Sequence, residues 1–224
     1  MTKRNVRIEP RPPAAARDQA LKVSSDSVRR LPPTAQRILA AARHILRERG
    51  FAAMSLRAVA AEAGEVKPTI AYYFGNKAGL VSMIVKSLMS ESDSLAREGS
   101  EQMPDGEAKV VAAVDMLKQL SMQWDTTLEF LEILPWAARH EEMSGAMQNL
   151  YSWAGEFNAS SLEGADIEAS ATDLLPCGVL TAAVLDGMAI QKVVGVDEDL
   201  LNRAWEEWCR ILLYVRSTTG LTGR

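Results

Sequence analysis

The chain has 224 residues, 47% of them hydrophobic and 24% charged, enough for one large or two modest domains each with its own core. Charge, Gly or Pro interrupts every apolar stretch and no hydrophobic segment follows the basic N-terminus, so neither a membrane span nor a secretory signal is expected. With only Cys177, Cys209, His44 and His140 to draw on, a disulfide framework and a close metal-ligand cluster are excluded, and the expectation is a reduced, cytoplasmic, metal-free protein without a cofactor.

The net charge of −4 hides an asymmetry: residues 1–90 carry 16 Lys and Arg against 6 Asp and Glu, and residues 91–224 carry 9 against 23. A basic module that meets a polyanion, joined to an acidic module that does not, accounts for this, as does chance clustering plus a basic tail. Residues 1–30 hold Pro10, Pro12, Pro13, an Ala14–Ala16 run and several serines with almost nothing apolar to bury, and read as a disordered basic arm.

Pro32-Pro33-Thr34 ends the arm and starts a helix over about 34–49, with Ile38, Leu39, Ala42, Ile45 and Leu46 on one face and Gly50 closing it. Ser55 is an N-cap candidate for a short helix to about residue 63, stopped by Gly64. Lys67-Pro68-Thr69 opens a second short helix to about residue 74, because Pro is tolerated in a first turn, and Ile70, Tyr73 and Phe74 give it an apolar face. Asn76 caps a longer helix to about residue 97, carried by Leu80, Val81, Ile84, Val85 and Leu88. Two short helices joined by a tight Gly-containing turn and braced by a longer preceding one form a helix-turn-helix, whose second helix is the one that enters a major groove.

Beyond Gly106 the pattern predicts helices only, over about 107–123, 125–139, 141–162, 169–194 and 198–217, with Pro135 and Pro176 as kinks or starts. Trp124, Phe130, Trp136, Tyr151, Trp153 and Phe157 fall within about 35 residues, joined by Met116, Met122, Met143 and Met147. Such a group is either core or the wall of an apolar pocket with polar handles. His140 and Glu141 are either surface groups or ligand-orienting ones. No Ser/His/Asp or Cys/His arrangement, Gly-rich phosphate loop or metal-spaced carboxylate set is present to support an enzyme.

From Thr34 to about Leu88 the sequence resembles the TetR (tetracycline repressor) family of bacterial transcriptional regulators. The resemblance is carried by Gly50-Phe51, Ser55-Leu56-Arg57-Ala58-Val59-Ala60, Glu62-Ala63-Gly64, Lys67-Pro68-Thr69-Ile70, Tyr72-Tyr73-Phe74 and Asn76-Lys77-Ala78-Gly79-Leu80, in the family's order and spacing. Leu185-Asp186-Gly187-Met188-Ala189 resembles a stretch common in the family's next-to-last helix. Two departures stand out: Glu65-Val66 replaces the usual Val-Ser pair before the recognition helix, and Ala71 stands where an aromatic residue is common.

The resemblance implies an all-α fold, with a basic arm (1–30), a three-helix DNA-binding domain with the helix-turn-helix (31–78) and a helical effector-binding and dimerisation domain (79–224). It implies a homodimeric repressor, released from a pseudo-palindromic double-stranded DNA operator by a small, largely apolar effector. The alternative is an effector-independent DNA-binding protein whose C-terminal domain only dimerises. DNA contacts are expected from Ser55, Arg57, Lys67, Thr69, Tyr72, Tyr73 and Lys77. Ser55 either contacts a phosphate or only caps, and Arg57 has the fork to read guanine. One of the two adjacent tyrosines must face outward, and the resemblance points to Tyr73 as the phosphate or base-edge contact, with Tyr72 a further contact or a packing residue. Arg4, Arg7, Arg11, Arg17, Arg29 and Arg30 either remain solvated or add phosphate and minor-groove contacts. Effector contacts are expected from Leu88, Leu117, Leu120, Trp124, Leu131, Trp136 and Tyr151, and a four-helix dimer contact from Leu180, Val184, Met188, Trp205, Trp208 and Leu212.

Overall fold

The computed structural model describes residue 28 and residues 30–100, 107–163 and 169–219. Among these are nine helices and no strand: α1 Pro33–Ala53, α2 Leu56–Ala63, α3 Lys67–Phe74, α4 Lys77–Ser100, α5 Glu107–Ser121, α6 Trp124–Ala137, α7 Glu141–Ser161, α8 Leu175–Val193 and α9 Glu198–Thr218. The basic arm other than Val28 and Arg30 lies outside the described residues.

The local signals act as their chemistry requires. Ser55 Oγ accepts the Ala58 N–H at 3.1 Å and Gly64 closes α2 in the left-handed conformation. Pro33 and Pro68 sit in first turns, where a missing N–H costs no hydrogen bond. Asn76 Oδ1 accepts the Gly79 N–H at 2.8 Å ahead of α4. A Cβ on Gly79 would stand 2.0 Å from the Phe74 carbonyl oxygen, so the turn between α3 and α4 closes only over a hydrogen at this position. Within α1 the chain leaves helical geometry at Gly50, with φ 74°, and the Phe51 N–H freed there donates to Glu132 Oε2 on α6 at 2.7 Å.

One expected helix is too long. The segment 169–194 is helical only from Leu175: Pro176 sits at its start, and Asp173 Oδ2 accepts both the backbone N–H and the hydroxyl of Ser170, folding 170–174 into turns.

Two apolar clusters hold the chain together. The first unites Ile38, Ala42, Ile45 and Leu46 of α1 with Val59, Ile70 and Phe74 of α2 and α3, Leu80, Ile84 and Leu88 of α4, Ile133 of α6 and Met143 of α7. It therefore runs through residue 78 without a break, and the first three helices share buried surface with those beyond. The second gathers Val110, Val114 and Leu117 of α5, Leu162, Leu174, Leu185 and Met188, and Leu201, Trp205 and Leu212 of α9. The α9 helix is fastened to it by Trp205 Nε1 donating to Asp115 Oδ1 (3.1 Å) and the buried Arg216 Nε donating to the Leu162 carbonyl (2.5 Å).

Candidate functional site

The helix-turn-helix presents a cationic, aromatic face. Arg57 on α2 and Lys67 at the start of α3 are exposed, Tyr72 is 82% exposed, and Thr69 is half-buried in the first turn of α3. The choice of Tyr73 as the outward tyrosine is corrected: its ring is half-buried against the core and edge-on to Tyr72 at 5.0 Å, and Tyr72 is the outward member of the pair. Ser55 is exposed, but its oxygen already caps α2. Lys77 differs from the rest: its Nζ lies 3.8 Å from the Phe51 ring centroid and donates to the Phe51 carbonyl at 3.4 Å, and burial lowers its pKa. Its ammonium is engaged with Phe51, and a phosphate contact would compete with both interactions. Arg37 donates to Glu65 at 2.5 Å, which neutralises the carboxylate at the departure from the family pattern. Val66 at the N-cap of α3 supplies no capping side chain.

Behind this face α1 is tied to α6 by charge. Glu129 of α6 is fully buried and receives Arg43 Nε at 2.7 Å and Arg47 Nη1 at 2.5 Å, while Arg43 also donates to Glu91 of α4. Burial opposes the Arg43 charge, but Glu91 and Glu129 outweigh it and raise the guanidinium pKa. Sequence reasoning missed Glu129 and Glu132. The available signal was two acidic residues inside the apolar run of α6.

A cavity of about 280 Å³ lies between α4, α5, α6, α7 and α8. Leu88, Leu117, Leu120, Leu131 and Tyr151, named above as candidate effector contacts, line it. Trp136 does not: its ring lies 5.0 Å from Phe51 and stacks on His140 at 4.1 Å, at the junction with α1. The Trp124 side chain lies outside the described residues. His140 is exposed, donates through Nδ1 to the Trp136 carbonyl at 2.8 Å, and is absent from the lining, as is Glu141. Phe130, Trp153 and Phe157 supply aromatic walls, and Asp186, missed from the sequence, brings a half-buried carboxylate that accepts from the Tyr151 hydroxyl at 3.1 Å. Burial raises the Asp186 pKa against the opposing pull of that hydrogen bond, and burial beside Asp186 raises that of Tyr151.

Of the residues expected at a dimer contact, Leu180 is 56% exposed and Val184 and Trp208 are half-buried. Met188, Trp205 and Leu212 are corrected: they are buried within the chain's own second cluster, because each helix carries more apolar surface than one face and the inner stripe goes to α5 and α7. Beside Leu180, the outward apolar surface is formed by Val179 and Ile190 of α8 and Ile211, Tyr214 and Val215 of α9.

Residues 38–84 match the family model described as bacterial regulatory proteins, tetR family. No curated protein sequence matches the chain. Among solved structures, one described as a TetR-family transcriptional regulator from Streptomyces coelicolor is 16% identical with a TM-score of 0.65, covering 87% of this chain and 95% of its own. A chain described as a TetR-family regulator from Rhodococcus sp. is 15% identical with a TM-score of 0.66, covering 83% and 100%. A third, described as a transcriptional regulator from Saccharomonospora viridis in complex with choline, is 16% identical with a TM-score of 0.65, covering 79% and 95%. The match places the family's helix-turn-helix over residues 38–84, and the chain as a whole shares the fold of these solved structures. Among the described residues no helix is long and apolar enough to cross a membrane and no group of side chains is placed to hold a metal ion.

Proposed function

We propose that the chain is a homodimeric repressor whose domain of residues 31–78 binds a pseudo-palindromic operator until a small, largely apolar effector enters the cavity of the domain of residues 79–224. The observation that carries this reading is that the cavity and the DNA-binding helices share two elements. The α4 helix lines the cavity through Leu88, Met89 and Ser92 and sits in the same buried cluster as α1. The α6 helix lines it through Thr127, Phe130 and Leu131 and holds α1 through Glu129 and Glu132. An effector that prefers the arrangement in which α4 and α6 have shifted moves α1 and, with it, α3. A coupling of about 1–3 kcal/mol changes operator affinity roughly 5- to 150-fold.

In this reading Arg57, Lys67, Thr69 and Tyr72 face the groove, and Ser55 offers the N-terminus of α2 to a phosphate. The outward apolar surface of α8 and α9 pairs with its copy about a two-fold axis, and the two recognition helices then address half-sites about 34–36 Å apart. Selection of random duplexes by the purified protein, repeated with Arg57→Ala and Thr69→Ala, tests this. Recovery of one pseudo-palindrome that the variants lose or relax supports it. Salt-sensitive binding without a motif, equal in all three proteins, would overturn the assignment of the recognition helix and favour a protein that binds DNA without sequence readout.

A further inference from the structure

The chemistry of the cavity wall is one-sided. Among the described residues Asp186 is the one charged side chain that lines it, and no Lys, Arg or His does. The carboxylate makes no ion pair among the described residues; its partner is the Tyr151 hydroxyl on Oδ2. A half-buried carboxylate in an apolar enclosure carries a desolvation cost that a neutral hydrogen bond offsets only in part. Aromatic faces crowd the same place. Phe130 meets Tyr151 edge-on at 6.2 Å, and Trp153 stacks on Phe157 at 5.3 Å.

Resting on the reading of this cavity as the effector site, we propose that its effector is a small organic monocation, an amine or quaternary ammonium on an apolar body, whose positive centre lies at Asp186 and Tyr151. Three classes of ligand are disfavoured by the same wall. An anion meets the Asp186 charge and, among the described residues, finds no basic group in the lining to answer it. An inorganic cation would have to shed its hydration for a wall that is mostly carbon and offers it a single carboxylate beside a few hydroxyls and the Asn158 amide. A neutral apolar body gains burial but leaves the carboxylate without a counter-charge. An organic cation satisfies both halves of the wall, with its charge compensated by Asp186, its weakly hydrated periphery against the Tyr151 and Phe130 rings, and its body against Leu88, Leu117 and Leu131. The volume of about 280 Å³ restricts it to a small molecule.

The test uses the full chain and three probes of similar shape: benzyltrimethylammonium, its uncharged carbon isostere neopentylbenzene, and phenylacetate. Affinity is read by calorimetry and by Trp fluorescence in the wild type, in Asp186→Asn and in Ala182→Phe, which fills the cavity. The expected result is that the wild type binds the ammonium probe at least tenfold more tightly than the isostere and phenylacetate more weakly than both. Asp186→Asn should erase the preference for the ammonium probe while keeping the isostere within about threefold, and Ala182→Phe should lose all binding. The wild-type comparison needs no variant to fold. If the isostere or phenylacetate binds as tightly as the ammonium probe and Ala182→Phe abolishes that binding, the cavity is a ligand site and selection for a cation is overturned. Selection by Asp186 is equally overturned if Asp186→Asn keeps the preference. If no probe binds, or binding survives in Ala182→Phe, the reading of the cavity as the effector site falls with it.

Discussion

The buried carboxylate of Glu129 on α6 and the guanidinium of Arg43 on α1 meet at 2.7 Å across 86 residues of sequence. Arg47, one turn further along α1, reaches the other oxygen of the same carboxylate at 2.5 Å. Phe130 and Leu131, the next residues on α6, line the cavity, so the cavity wall and the ion pair move as parts of one helix. Breaking a buried ion pair by deleting one partner costs about 3–5 kcal/mol. Both arginines keep some access to water and Arg43 keeps Glu91, which places Glu129→Ala near the lower end, at about 3 kcal/mol. For a chain of this size each kcal/mol lowers Tm by about 2–4 °C, so a loss of roughly 6–12 °C is expected by calorimetry. Glu91→Ala removes the exposed partner and should cost under about 1 kcal/mol. Equal effects of the two substitutions would show that Glu129 does not anchor α1.

The exposed cations of the helix-turn-helix should separate by the kind of contact they make. Arg57→Ala is expected to cost about 1–3 kcal/mol of discrimination at one base pair of the selected operator, the worth of a bidentate guanine contact. Lys67→Ala should weaken binding to all sequences alike and lower the slope of log affinity against log salt by about 0.9, the signature of one lost phosphate contact. Fluorescence anisotropy on the selected duplex and on a scrambled one, across a salt series, reads both. An unchanged slope in Lys67→Ala would move Lys67 off the phosphates.

The DNA-binding helices were legible in the sequence because each boundary carries its own chemistry. The Ser55 cap, the Gly64 stop and the Pro68 start act locally, and the structure places them where those local rules put them. Gly79 belongs to the same class, since its lack of a side chain is fixed by a carbonyl only five residues away. What the sequence does not carry is which of two apolar faces turns inward. Trp205 and Leu212 lie at the same helical spacing as an interface stripe would, and only the arrival of α5 and α7 makes them core. Asp186 was visible as a charge within an apolar helix, but its meaning depends on Tyr151, 35 residues away on another helix. Glu129 is a similar case, and its partners on α1 lie 82 and 86 residues back.

The packing of α7 on α8 depends on Gly178. A Cβ there would lie 2.2 Å from the Gly155 carbonyl oxygen and 2.7 Å from the Ala159 nitrogen, so Gly178→Ala forces two helix backbones apart. Overpacking of this kind costs about 1–3 kcal/mol, and no side-chain rotation can relieve it because both obstacles are backbone atoms. Gly145 is the contrast: it lies within α7 with nothing near its missing Cβ, and Gly145→Ala should raise stability by about 0.4–1 kcal/mol. Thermal melts of the two variants should therefore shift in opposite directions, and a neutral Gly178→Ala would mean that α7 and α8 can separate at no cost.

Asp186 should be a site where function is kept at a cost in stability. Its carboxyl pKa is raised in the folded chain, with burial outweighing the Tyr151 hydrogen bond. The folded state therefore holds the proton more tightly than the unfolded one. The stability this group contributes is complete below the unfolded carboxyl pKa of about 3.9, and is lost as pH rises through the folded value. At neutral pH the ionised group is a burden that an amide would not impose. Tyr151 is the other titratable side chain in the lining among the described residues, and its own raised pKa keeps it neutral over this range. Asp186→Asn, which can still accept from Tyr151, should accordingly melt above the wild type at pH 7, with the gap narrowing as pH is lowered toward about 4.5. Melts of both proteins across that range supply the check. A variant that melts below the wild type at pH 7, or a gap that widens on acidification, would mean that Asp186 is stabilised by a charge in the unliganded chain and does not wait for one from a ligand.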